Sequence, residues 1–484
     1  MLMRIRRSKH NKTTNSSTLE NQIKLEFHNT SDLQFKKFKV ASLDITLAFL
    51  KDISDPIIIQ KTIISPLLTV SDGDNSIQIE GLPDLLPIAS IQKVTDYNSI
   101  TEHVMDGCTI IIVRDKQTQN VYVVDTIKFI KRTPDEPVNE PTISGPRDGF
   151  IECIQDNKTL LRMHLKSKDL IFEKFTLGTD VSTYIYLVYL RGKTKETLIQ
   201  EVRDRVSSVE VDYVKDGAIL AQLLERNKFS VFPELTSTQT PTKVANALLE
   251  GRVSLLTDGS PTALIAPTTL NMLLQTPDDY HFKWIPASLI RMLTYITAFI
   301  SVLLPATYIS LVSFQHGLIP TSLAVSLSKT REGVPFPSVI EAFLMELTIE
   351  ILREAGVRLP KPIGSTVSIV GAIVIGETAV SSGIVSPMMV MVISFTAICS
   401  FAIPNYQLSL ALRTIRFFIL FSAATLGIYG MLIAIFIVST HLVKLRSFSV
   451  PYLEPFAPIN IKEWKDGFIR LYFKAGAKED NVNE

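Results

Sequence analysis

Cysteine is scarce: Cys108, Cys153 and Cys399 are the only three in 484 residues, and they lie far apart. That spacing excludes a disulfide scaffold and a cysteine-based zinc site, and it fits a reducing compartment. The seven histidines never form a ligand pair, so no metal is expected. Also missing are a G-x-x-x-x-G-K-S/T phosphate loop, an HExxH pair, a G-x-S-x-G elbow and a kinase motif set. No catalytic or cofactor-binding residue is assigned, and the chain reads as a non-enzyme. An excess of one charge is absent too. Lys+Arg number 49 and Asp+Glu 48, which argues against nucleic acid as a partner. The N-terminus, MLMRIRRSKHNKTTNSST, is basic but has no apolar signal-peptide core. The N-terminal region is therefore expected on the cytoplasmic side.

What the chain does have is a strong asymmetry. Mean hydropathy is +0.24, and the apolar excess falls after about Ile285. Residues 1–30 are rich in Lys, Arg, Asn, Ser and Thr without apolar periodicity, the composition of a disordered basic tail. The stretch that follows reads as a soluble α/β region. Leu47–Ile63 (LAFLKDISDPIIIQKTI) and Leu187–Arg203 (LVYLRGKTKETLIQEVR) each show an apolar strand, a polar turn and a helical apolar spacing. Val104–Val113 (VMDGCTIIIV) and Leu248–Thr257 (LLEGRVSLLT) each place an acid and a glycine before an apolar strand. The offsets are about 140 and 144 residues. Two related α/β subdomains are expected, at 31–132 and 146–282, joined by the proline-rich TPDEPVNEPTISGP. The alternative is chance similarity of two strand–helix units.

The rest reads as an all-α transmembrane bundle over 286–442. Spans are expected at about 290–312, 385–403 and 417–438, against the roughly 20 apolar residues that a bilayer core requires. A fourth, at 363–384, is rich in Gly, Ser and Ala, residues that let helices approach closely in lipid. An even number of crossings puts both ends in the cytoplasm. Lys283 and Arg291 before the first span, and Lys444, Arg446 and the basic residues of the 443–484 tail after the last, agree with that topology. Arg353, Arg358, Lys361, Arg413 and Arg416 then lie outside, unless they pair with Glu346 and Glu350 or enter a partner interface.

Residues 338–356 read as an amphipathic helix capped by Ser338 and Gly356. Glu346, Glu350 and Glu354 share one face with Arg353; Ile340, Phe343, Leu344, Leu347 and Ile351 share another. Such a helix suits a membrane surface, a polar cavity or the soluble region. Glu377 is the most informative single residue, since a charge inside an apolar segment costs a few kcal/mol. On a helix it aligns with Thr366, Val370, Ile373 and Ser381. A ring of such stripes in an oligomer would gate by dewetting and favour cations; alternatively, the span ends near Ile375 and Glu377 lies at the interface.

Several long motifs carry a resemblance to a known family. They are GPRDGF at 145–150, EGRVSLLTDGSP at 250–261, PDDY at 277–280 and VPFPSVIEAFLMELTIEILREAGVRLP at 334–360. IGSTVSIVGAIVIGETAVSSGIVSP at 363–387 and SFSVPYLEPFAP at 447–458 complete the set. In this order they resemble the A subunits of GerA-type nutrient germinant receptors of the bacterial spore inner membrane. The resemblance implies a complex with a polytopic, transporter-like B subunit and a lipoprotein C subunit, and a role in nutrient-triggered ion release. It further implies that the A-type chain oligomerises and conducts monovalent cations; the alternative is a non-conducting scaffold of the same complex. The chain departs from the family at Glu377, where Gln is frequent, and in its last residues, AGAKEDNVNE.

Overall fold

Strand β2 (Leu43–Leu50) is buried along almost its whole length. Successive side chains in a strand point to opposite faces, so both faces of this strand must be covered. Ile45, Leu47 and Phe49 pack with Ile59, Ile63 and Leu67 on one side. Ala48 and Leu50 pack with Ile23, Phe27, Ile100 and Val104 on the other. The result is a sheet with helices on both faces.

The computed structural model describes residues 17–28, 30–40, 43–69, 85–88, 91–115, 118–127, 140, 146–276, 279, 282–358, 371 and 374–459. Contacts divide the chain into two compact units. One comprises Met1–Pro141, Pro146–Leu224 and Ser237–Ala266; the other comprises Thr142–Gly145, Glu225–Thr236 and Pro267–Glu484.

The first unit contains α1 (Ser17–Glu26), β1 (Leu33–Val40), β2, α2 (Pro56–Ile58), a π-helical turn at Ile59–Ile64 and α3 (Ser65–Thr69). β3 (Ile91–Lys93), α4 (Tyr97–Met105), β4 (Thr109–Arg114) and β5 (Gln119–Val124) follow. Then come α5 (Ile154–His164), β6 (Leu170–Leu177), β7 (Thr183–Leu190), α6 (Glu196–Ser207) and α7 (Gly217–Leu224). Last are β8 (Thr236–Thr238), α8 (Pro241–Leu249), β9 (Val253–Thr257) and β10 (Ala263–Ala266).

The two sheets have matching orders, β1-β2-β4-β5-β3 and β6-β7-β9-β10-β8. Their hairpins are also alike: Leu33 pairs with Leu50 in one and Leu170 with Leu190 in the other. Within the stretch 1–30, α1 is helical from Ser17, and residues 1–16 lie outside the described residues. Ile23 and Phe27 are one helical turn apart and both enter the core, which overrides the polar composition around them. The second subdomain also ends before 282. Phe232, Leu273 and Leu274 bury themselves with Ala298, Leu408 and Tyr452 instead, so 225–236 and the residues after Ala266 belong to the helical unit.

That unit contains α9 (Leu270–Leu274), α10 (Trp284–Ile309) extended by a π-helical turn to Phe314, α11 (Thr321–Thr330) and α12 (Ser338–Arg358). α13 (374–381), α14 (Pro387–Phe401) and α15 (Tyr406–Lys444) complete the helices. Two helical segments, Trp284–Phe314 and Tyr406–Lys444, are long and apolar enough to cross a membrane by length and composition. α14 has 15 residues, fewer than the expected 385–403 span. Ser386 caps it with Pro387 in its first turn, and Pro404 precedes the Asn405 cap of α15. Most of the expected 363–384 span lies outside the described residues. α12 does not stop at Gly356 but runs to Arg358.

α15 is kinked at Gly427, whose φ of +61° and ψ of −140° are non-helical. A Cβ there would lie 2.8 Å from Cβ and Cγ of Phe314, and the freed Ile428 N–H donates to Gln315 Oε1 at 3.4 Å. Gly427→Ala should therefore cost more than the roughly 1–2 kcal/mol of a left-handed non-glycine residue, because the contact adds to it. A lowered Tm of the detergent-solubilised protein is the expected readout, and an unchanged Tm would show that the kink tolerates a side chain.

Candidate functional site

The faces of α12 are arranged inside out. Glu341, Ala342, Met345 and Glu346 are buried, whereas Ile340, Leu344, Leu347 and Ile351 are 40–60% exposed. In water this would be unstable; in lipid it is the expected orientation, since charges turn to the bundle interior and apolar residues face the acyl chains. Broad exposed apolar surfaces on α10 (Leu289, Leu293, Phe299) and α15 (Phe421, Tyr429, Phe436) fit the same solvent.

Glu346, buried, and Glu350, partly exposed, are matched by arginines on α15. Glu346 and Glu350 are one turn apart, as are Arg413 and Arg416, so each pair presents one face. Arg416 Nη1 lies 3.3 Å from Glu346 Oε2, with side chains 3% and 2% exposed. Arg413 Nη1 donates to Glu350 Oε1 at 2.5 Å. Arg353 donates to Ser400 Oγ at 2.6 Å, and its guanidinium lies 4.5 Å from the Phe401 ring centre. Glu341 receives Arg331 Nη2 at 3.0 Å and, through its other oxygen, the Ser386 N–H at 2.8 Å. Glu354 is apart from this lattice, exposed and paired with Arg358. The expected acidic face is thus split. Two of its acids tie α12 to α15, and the third is peripheral.

Arg291, expected as a topology-setting charge before the first span, lies buried inside α10. Its Nε is 3.2 Å from Asp279 Oδ2, so it serves an internal ion pair. The signal for this was the acidic PDDY motif just ahead of an arginine in an apolar helix.

Glu377 and Ser381 are exposed on α13. The helix turns its small residues inward: a Cβ at Gly376 would meet Val390 Cγ1 at 3.6 Å, and one at Gly371 would meet Leu352 at 3.1 Å. Ala379 packs on the core containing Met345 and Met389. Thr366, Val370 and Ile373 lie outside the described residues. Among the described residues, no cluster of His, Cys, Asp and Glu suited to a metal is present.

A second buried charge cluster, which the sequence reading did not anticipate, joins the two halves of the α/β unit. Asp32 and Asp52 flank the open end of the β1–β2 hairpin. Lys158 and Arg162, one turn apart on α5, meet them. Arg162 directs Nε and Nη2 at Asp32 Oδ2, at 3.1 and 3.0 Å, while Thr30 donates to the other oxygen. Lys158 pairs with Asp52, and its Nζ lies 4.2 Å from the Tyr186 ring centre. Burial pushes the Asp32 carboxyl up, but the Arg162 charge and the Thr30 hydroxyl outweigh it and hold Asp32 below the usual range. For Asp52 burial prevails over the opposing pull of Lys158, and its carboxyl titrates above that range.

Comparison with known proteins places the chain in a family. Residues 21–481 match the profile of the Bacillus/Clostridium GerA spore germination protein family. Spore germination protein A1 of Bacillus subtilis is 39% identical over 418 residues, covering 86% of this chain and 86% of the relative. Spore germination protein GerLA of Bacillus cereus is 35% identical over 453 residues, covering 93% and 92%. A crystal structure of the N-terminal domain of the A subunit of the Bacillus megaterium spore germinant receptor GerK3 aligns with a TM-score of 0.39 at 24% identity. That alignment covers 51% of this chain and 92% of that one. The chain belongs to the GerA family of spore germination proteins.

Proposed function

We propose that this protein is the A-type subunit of a nutrient germinant receptor in the spore inner membrane, and that several copies surround a path for monovalent cations lined by residues 363–384. Its α/β region stands on the cytoplasmic side, and a transporter-like B subunit and a lipoprotein C subunit complete the complex. The observation that carries this reading is the position of Glu377. Glu341, Glu346 and Glu350 are each matched by an arginine inside the helical unit, whereas Glu377 is exposed on an apolar helix. A carboxylate against acyl chains costs a few kcal/mol. A water-filled path between copies removes that cost, and a ring of carboxylates there selects cations. Family membership supports the role in germination.

Glu377→Gln should leave the complex assembled and lower its preference for cations over anions, read as the reversal potential of reconstituted vesicles under a salt gradient. An unchanged reversal potential would remove Glu377 from the path and favour the non-conducting scaffold, which the rigid glutamate–arginine lattice also suits.

A further inference from the structure

Phe229 is 102% exposed, at the tip of a loop reading Arg226-Asn227-Lys228-Phe229-Ser230. The loop itself is firmly held. Glu234, fully buried, accepts the Arg226 and Asn227 N–H groups at 3.1 and 3.0 Å. Ser447 Oγ bonds the Glu234 carbonyl. Phe232, buried, stacks on the His441 ring with centroids 6.2 Å apart, and Ser230 Oγ lies 3.0 Å from His441 Nε2. The loop is thus held firmly while its phenyl ring stands in solvent, beside basic residues at one end of α15.

The position of His441 says which partner. The apolar run of α15 ends at Val438, before Ser439 and Thr440. Three more residues at about 1.5 Å each place His441 roughly 4.5 Å beyond it, within the headgroup layer that flanks the hydrocarbon core. Lys444 and Arg446 are exposed just past it, and Arg226 and Lys228 are exposed on the loop. Basic residues at that level are drawn to anionic lipid, and an aromatic ring between them is suited to the same layer.

We propose that loop 226–230 docks into the anionic membrane surface, with Phe229 inserted among the lipid headgroups and Lys228 set against their phosphates. The loop then acts as an anchor that fixes the end of α15 and the adjoining 225–236 segment at the bilayer. This rests on α15 being a span, which the test below checks separately.

The test uses the full chain with Phe229→Trp, and with Trp284 and Trp464 replaced by Phe, in vesicles containing phosphatidylglycerol. Co-flotation with the vesicles reports whether the chain is inserted at all. In inserted protein, emission should shift to shorter wavelength and lose most of its intensity with lipids brominated near the glycerol end of the acyl chain. It should lose much less with lipids brominated near the chain terminus. Adding Lys228→Glu should weaken the shallow quenching. Water-like emission without quenching would overturn the proposal, and so would short-wavelength emission without quenching, which would mean that protein covers the ring. Should the triple variant fail to insert, hydrogen exchange of the unmodified chain gives the same reading. Residues 227–231 should exchange more slowly in anionic vesicles than in neutral ones, and equal rates would overturn the proposal.

Discussion

Glu346→Ala should destabilise the helical unit by about 3–5 kcal/mol, the usual effect of removing one partner from a buried ion pair. Arg416 would keep its charge, because a guanidinium does not shed its proton, and it would remain among the helices without its carboxylate. Its side chain is 3% exposed, so water cannot replace the lost partner. The expected readout is a marked fall in Tm of the detergent-solubilised chain, together with poor accumulation in the membrane. Glu346→Leu combined with Arg416→Met should recover most of the loss, since apolar residues of similar volume often replace a buried pair at little cost. The double-mutant cycle separates the pairing from the packing. Single and double variants equally damaged would mean that α12 and α15 are joined by shape alone.

Arg162→Ala should cost about as much in the α/β unit, roughly 3–5 kcal/mol, because it strands the buried Asp32 carboxylate. Asp32→Asn should be comparably harmful. Asp52→Asn should be milder, because a lysine left without its carboxylate can give up its proton whereas an arginine cannot. The pH dependence separates the two acids further. Asp32 is held below its unfolded range, so its contribution is present above the unfolded carboxylate pKa of about 3.9 and is lost as pH falls through the folded value. Asp52 is raised, so its contribution has the opposite sign: it is present below the unfolded pKa and lost as pH rises through the folded one. Urea denaturation between mildly acidic and strongly acidic pH should therefore show steep acid lability in the natural chain. Asp32→Asn should flatten that lability, and Asp52→Asn should leave it in place. An identical pH slope in all three would contradict the assignment.

The duplicated α/β plan was legible because short apolar runs preceded by an acid and a glycine recur at a nearly fixed offset, as at Val104–Val113 and Leu248–Thr257. The direction in which α12 faces was not. Periodicity separates its acidic stripe from its apolar stripe, but only the surrounding solvent decides which stripe is buried, and lipid reverses the aqueous rule. Arginines such as Arg413 and Arg416 looked like topology signals because their partners lie about 63 and 70 residues away. The Arg162–Asp32 bond, which spans 130 residues, left no local trace beyond the one-turn spacing of Lys158 and Arg162. α1 was hidden for the opposite reason: two apolar anchors, Ile23 and Phe27, suffice to dock a helix that is otherwise polar.

The most direct test of the central claim is monovalent cation flux across vesicles containing this chain with its partner subunits, measured before and after nutrient addition. The natural chain should conduct only after the nutrient is added, and Val370→Ala, which widens and weakens an aliphatic barrier, should leak without it. A complex that assembles intact but passes no cations in either form would contradict the channel and leave the protein as a scaffold.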